Sequence, residues 1–211
     1  MPVFVDIHTH NPAGPGIRIY SRRLGLEETV PVRPYSEGIH PWDAGTIVNI
    51  DRLLDSMLTD DMVAVGEIGL DKLHPDYPRQ EELFGRQLEI ARERKLPVII
   101  HCVKAFEDIM SILTGFRLPC VIFHSYIGSV QQTERILNSG YYISLGDVSL
   151  ESPKTVESVL GFSLDRLFIE TDDTGLPIDT VYSKAARVLG IRIEELSRAI
   201  YDNYSRAFLK E

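Results

Sequence analysis

Asp6-Ile7-His8-Thr9-His10 closes the first apolar run of the chain. Side chains at i and i+2 of a strand project to the same side, so the His8 and His10 imidazoles can reach one ion, with Asp6 placed to orient the pair. Alone, such a His-x-His pair is as readily structural. Four further residues change that weighing. Glu67 follows the run 62–66, His101 follows 98–100, His124 follows 121–123 and Asp172 follows 167–170, and each is expected at the C-terminal edge of a strand. In a parallel barrel that edge builds the active site, so five strand ends would deliver imidazole or carboxylate to one mouth. Mixed nitrogen and oxygen donors suit Zn, Mn or Mg better than a metal that selects thiolates.

The elements that must position these residues are legible as alternation. Apolar runs at 3–7, 62–65, 97–100, 119–123, 141–145 and 166–169 carry little polar alternation, as parallel strands covered on both faces should. Phe106, Ile109, Met110 and Leu113 recur at i, i+3, i+4 and i+7, one apolar stripe of a helix. Leu53, Leu54, Met57 and Leu58 suggest another, and helices are predicted over 79–95, 130–138, 180–189 and 193–208. The segment 11–34 holds prolines, glycines and arginines but no convincing helix, with strands expected at 17–20 and 35–40. Eight strands result. The fold class is therefore α/β, a TIM-type (β/α)8 barrel reduced by the loss of most of its first two helices, and the thinly covered flank is a candidate partner surface.

The 211 residues suffice for one substantial core, and no linker, repeat or low-complexity tract divides them, so one domain over 1–211 is expected. Two cysteines, Cys102 and Cys120, make no disulfide framework, and nothing near Met1 resembles a secretory signal, which points to a cytoplasmic setting. No apolar run is long enough to cross a bilayer. A net charge of -9 excludes a broad basic footprint for nucleic acid, leaving any anionic substrate to be attracted locally by metal ions.

With these residues in view, the chain resembles the TatD family of metal-dependent hydrolases, within the amidohydrolase-like barrels. The matching pieces are Asp6-Ile-His-Thr-His10, Gly38-Ile-His-Pro-Trp42, Gly66-Glu-Ile-Gly-Leu-Asp71, Gln80 with Phe84 and Gln87, and Leu96-Pro-Val-Ile-Ile-His101. They continue with His124 and Gly128-Ser129, Tyr142-Ile-Ser144, Glu170-Thr-Asp172 and Asn203, in family order across nearly the whole chain. The resemblance implies two divalent ions (Zn, Mn or Mg). His8, His10 and Asp172 would serve one, His101 and His124 the other, and Glu67 would lie between them. It implies phosphodiester hydrolysis of the deoxyribonuclease kind, with Asp172 as base, Glu67 as a second catalytic carboxylate and DNA as a candidate substrate.

The chain departs from the family pattern in two places. An arginine usual two residues after the His101 position is replaced by Val103, followed by Lys104. Asp173-Thr-Gly-Leu-Pro177 replaces a small residue, proline and aromatic, and the later loop carrying Arg-Gly-Lys and Asn-Glu-Pro is absent. Arg18, Arg22, Arg23 and Lys104 are candidates to compensate, against the plainer reading of a solvated loop. His40, held in a turn by Pro41, reads equally as substrate-facing or scaffold. Trp42 reads as packing more than base stacking, Asp71 as a cation partner or turn cap, and Cys102 as core, while His74 receives no role. Two rivals stand: a PHP-type phosphoesterase with a trinuclear site, which needs further histidines, and a metal-binding scaffold without catalysis, which has no use for an Asp172 base.

Overall fold

The computed structural model describes residues 2–26, 33–56 and 62–209. Among them eight strands follow one another in chain order in one sheet, the topology of a TIM-type (β/α)8 barrel. They are β1 (Val5–Thr9), β2 (Ile17–Arg23), β3 (Tyr35–Gly38), β4 (Met62–Asp71), β5 (Val98–Val103), β6 (Val121–Phe123), β7 (Tyr142–Leu145) and β8 (Leu167–Ile169). The reduction is as expected where it can be followed: no helix separates β1 from β2, and residues 27–32, after β2, lie outside the described residues. No described helix is long and apolar enough to cross a membrane.

The chain divides into two compact units, 1–19 with 122–211, and Tyr20–Val121. In the first, β6, β7 and β8 pair in parallel, with Ile143 opposite Leu167 and Leu145 opposite Ile169. Helix α4 (Val130–Asn138) starts from a capping box in which Ser129 and Gln132 satisfy each other's backbone N–H, and α7 (Ile178–Leu189) stops at Gly190 in the left-handed region. Helices α5 (Asp147–Glu151) and α6 (Pro153–Val159) follow β7, and α8 (Ile193–Phe208) completes the unit. The fully buried Tyr182 on α7 donates to Val5 O at 2.9 Å and accepts from Val5 N–H at 3.1 Å, tying the helix to the start of β1.

In the second unit the parallel strands β3, β4 and β5 carry α1 (Ile50–Ser56), α2 (Tyr77–Arg94) and α3 (Phe106–Leu113). Met57 and Leu58, expected on the first of these helices, lie outside the described residues. Two buried amides on α2 hold the strand ends. Gln87 accepts from Ile39 N–H at 2.6 Å and donates to Ile39 O at 3.2 Å, and Gln80 does the same for Asp71 at 2.8 and 3.1 Å. Seven residues make close to two helical turns, so both amides leave one face of α2.

Strand β4 is longer than its apolar run. It continues to Asp71, so Glu67 sits inside the strand rather than at its edge. From Val65 to Ile68 it advances three residues against two from Val98 to Ile100 on β5, a bulge that re-aims Glu67. Glycine permits the close approach: a Cβ at Gly66 would lie 2.9 Å from Ile99 O, and one at Gly69, where φ is +147°, would run into the His101 carbonyl.

Candidate metal centre

The first unit gathers His8, His10 and Asp172. Both histidines come from the end of β1. Asp172 lies just beyond β8, in the left-handed region (φ 53°), where its N–H donates to His8 O and its C=O accepts from His10 N–H, both at 3.0 Å. Asp172 Oδ1 lies 3.4 Å from His8 Nε2 and 3.7 Å from His10 Nε2. Two bonds of about 2.1 Å at a tetrahedral angle separate their ligand atoms by about 3.4 Å, so this donor set fits an ion such as zinc.

Asp6 does something other than orient the imidazoles. Its Oδ1 accepts from Thr171 N–H at 2.9 Å and its Oδ2 from the Thr171 hydroxyl at 2.7 Å, which fixes the residue before Asp172. Burial pushes the Asp6 carboxyl up to about 6 despite those two bonds.

His124, after β6, has its ring 4.4 Å from that of His8. Its Nδ1 faces Glu170 Oε1 at 3.4 Å, and the same oxygen accepts from Ser125 N–H at 2.6 Å. Glu170 is fully buried, and its Oε2 makes no hydrogen bond among the described residues. An ionisable side chain taken out of water needs charge compensation, and His124, Glu170 and Asp172 form a second group able to grip a cation.

The second unit brings together Glu67 and His101. His101 Nδ1 lies within hydrogen-bonding distance of Glu67 Oε1, at 2.7 Å, and with His40 the two form a group able to hold a cation. On the other side of the ring, His101 Nε2 faces Asp71 Oδ2 at 3.4 Å, and that oxygen accepts from the Trp42 indole N–H at 2.7 Å. Burial alone would raise Asp71, but hydrogen bonds from Trp42, Leu73 and His101 outweigh it and hold the carboxyl below its usual range. His40, almost fully buried, reaches the same Glu67 oxygen at 3.0 Å, and burial holds its imidazole below the ordinary histidine value.

All six residues singled out for metal thus lie in groups able to hold a cation, three ligand positions plus His124 in one unit and Glu67 with His101 in the other. Sequence reasoning missed Glu170, read there only as part of a motif, and the contact of His40 with Glu67. For Glu170 a signal existed: a carboxylate in an apolar run is rarely buried without a partner. Trp42, read as packing, is 46% exposed and clamps Asp71 while stacking on His74 at 4.6 Å. The arginines named as candidates to compensate are each held by a partner, and Arg18 also reaches the Thr9 hydroxyl, between His8 and His10, at 3.4 Å. Arg18 donates to Asn11 O at 2.5 Å, Arg22 pairs with Glu37, and Arg23 makes a forked pair with Asp43 at 3.0 and 2.6 Å.

Comparison with known proteins gives consistent relatives. The family profile described as TatD related DNase matches residues 20–209. The uncharacterized metal-dependent hydrolase YjjV of Escherichia coli K12 is 30% identical over 205 residues, covering 90% of this chain and 79% of its own length. YcfH from the same organism, also an uncharacterized metal-dependent hydrolase, is 28% identical over 193 residues, covering 82% and 73%. The crystal structure of YjjV superposes with a TM-score of 0.81 at 25% identity, covering 99% of this chain and 98% of that one. A TatD family hydrolase from Entamoeba histolytica shares the fold at a TM-score of 0.79 and 18% identity, over 98% of both chains.

Proposed function

Because this chain belongs to the TatD-related DNase family and is a metal-dependent hydrolase, we propose that it cleaves phosphodiester bonds, with DNA as the candidate substrate. The proposed ligand set is His8, His10, Glu67, His101, His124 and Asp172, holding two divalent ions drawn from Zn, Mn and Mg. The observation that carries this reading is the convergence of His8, His10 and Asp172, with Asp172 Oδ1 3.4 and 3.7 Å from the two Nε2 atoms, a spacing suited to shared ligation.

When bound, divalent ions supply a water that ionises near neutral pH and positive charge for a phosphoryl oxygen. The chain's own part is to fix the carboxylates and keep the imidazoles aligned. Asp172 is partly exposed and anchored through its backbone to β1, so its carboxylate is presented to substrate while its main chain is held. It is the proposed proton acceptor, and Glu67, buried in the bulge, is the second catalytic carboxylate. A reducing cytoplasm is the proposed setting, in keeping with a chain that carries only two cysteines, Cys102 and Cys120.

The test is hydrolysis of bis-p-nitrophenyl phosphate and a short single-stranded DNA by metal-stripped protein reloaded with Zn, Mn or Mg, beside Asp172→Asn. Metal-dependent turnover lost in the variant supports the reading. Bound metal with no turnover on either substrate would move the activity to another ester class, and three ions per chain would favour a PHP-type site.

A further inference from the structure

Glu67 has a second neighbour whose chemistry is fixed by the backbone. Pro41, which follows His40, has no N–H, so the first N–H of the short 3-10 turn Pro41–Asp43 belongs to Trp42. His40 is the N-cap of that turn, and its Nδ1 accepts the Trp42 N–H at 3.2 Å. A ring nitrogen that accepts a hydrogen bond carries no proton, so the imidazole proton must sit on Nε2. That Nε2 lies 3.0 Å from Glu67 Oε1 and donates to it.

The ring has little freedom to do otherwise. Both backbone groups of Ile39, the residue before it, are held by Gln87 on α2. Asp43, at the end of the turn, is held by the Arg23 fork, and the Trp42 indole is tied to Asp71. The imidazole stands edge-on to the rings of Trp42 and His101, each with centroids 4.7 Å away.

His40, Glu67 and His101 satisfy the geometry of a three-ligand cation group, yet a nitrogen bearing a proton has no lone pair for an ion. We propose that His40 is a positioning residue rather than a ligand: its Nε2–H holds the Glu67 carboxylate in the orientation the metal site requires. This rests on the metal-hydrolase reading of the same residues. Hydrogen bonding of a ligating carboxylate by an outer partner commonly sets metal affinity by about 10–100-fold.

Two measurements test it. Long-range proton–nitrogen NMR of metal-free protein labelled at histidine nitrogen reads the tautomer directly, and His40 should show a protonated Nε2 and a pyridine-like Nδ1. Zinc affinity by chelator competition is then compared for His40→Gln, whose amide nitrogen reaches toward the Nε2 position, and His40→Asn, whose shorter amide reaches only toward Nδ1. The expected result is about 10–100-fold weaker zinc binding in His40→Asn with most of the affinity restored in His40→Gln. Loss of one bound ion per chain in both variants would make His40 a ligand and overturn the proposal. Unchanged affinity in both variants, with only a lower Tm, would reduce it to scaffold and overturn it equally. Wild-type protein that takes up no zinc, manganese or magnesium would sink the metal reading itself, and the tautomer spectrum would still decide the hydrogen bond.

Discussion

Asp71 Oδ2 stands 3.4 Å behind His101 Nε2, on the ring edge remote from the nitrogen that meets Glu67. Glu170 Oε1 stands at the same distance from His124 Nδ1. In both units a carboxylate backs one nitrogen of a histidine ring, and on His101 the opposite nitrogen meets Glu67. Such partners fix ring orientation and raise basicity.

Removing either carboxylate charge should therefore weaken metal binding without deleting a ligand. Asp71→Asn and Glu170→Gln are each expected to lower zinc affinity by about 10–100-fold, measured by chelator competition, with the number of ions per chain unchanged. A lost ion in the Glu170 variant would instead make Glu170 a direct ligand, which its buried Oε2, without a hydrogen bond among the described residues, permits.

Asp172→Asn should leave the fold intact, because the backbone bonds to His8 and His10 remain. Turnover of bis-p-nitrophenyl phosphate should fall by about 100- to 10,000-fold, the usual contribution of a positioned general base. Full activity in this variant would remove Asp172 from the chemistry.

Gln87→Ala leaves the buried N–H and C=O of Ile39 without their amide partner. Each orphaned group costs about 1–3 kcal/mol, so a Tm drop of several degrees is expected in thermal unfolding. A variant as stable as wild type would show that the loop before His40 finds other partners.

The ion pair of Lys72 with Asp108 at 2.6 Å, supported by the Tyr77 hydroxyl at 2.5 Å, gives a pH signature. Hydrogen bonds from Lys72 and then Tyr77 hold the Asp108 carboxyl below its usual range. The folded state thus binds that proton less readily than the unfolded chain, so the contribution is present at neutral pH and disappears as the pH falls through the carboxylate range and below. The Tm difference between wild type and Asp108→Asn should be larger at about pH 7 than at about pH 3. An equal difference at both would show that the charge contributes nothing.

The candidate ligands could be placed on their strands because strand geometry is short-ranged. His8 and His10 share a face by the two-residue period, and His124 directly follows an apolar run, whereas His101 lies inside β5, which continues to Val103, and Asp172 comes three residues after β8. What failed to show was non-local. The displacement of Glu67 into a bulge depends on its register against β5, and Asp6 meets Thr171 across 165 positions of chain. Helices α5 and α6 went unpredicted because they are one to two turns long, too short for a 3.6-residue pattern to emerge.

The paired amides of α2 also determine where this chain tolerates changes in length. Gln80 and Gln87 grip two different strand ends from one helix face. A single residue inserted between them would swing one amide about 100° around the helix and release either Asp71 or Ile39. Insertions before Gln80 or after Gln87 leave that spacing untouched. Homologues can therefore be expected to vary the loops at both ends of α2 while keeping the interval between its two glutamines constant, which makes that interval a marker for aligning distant members.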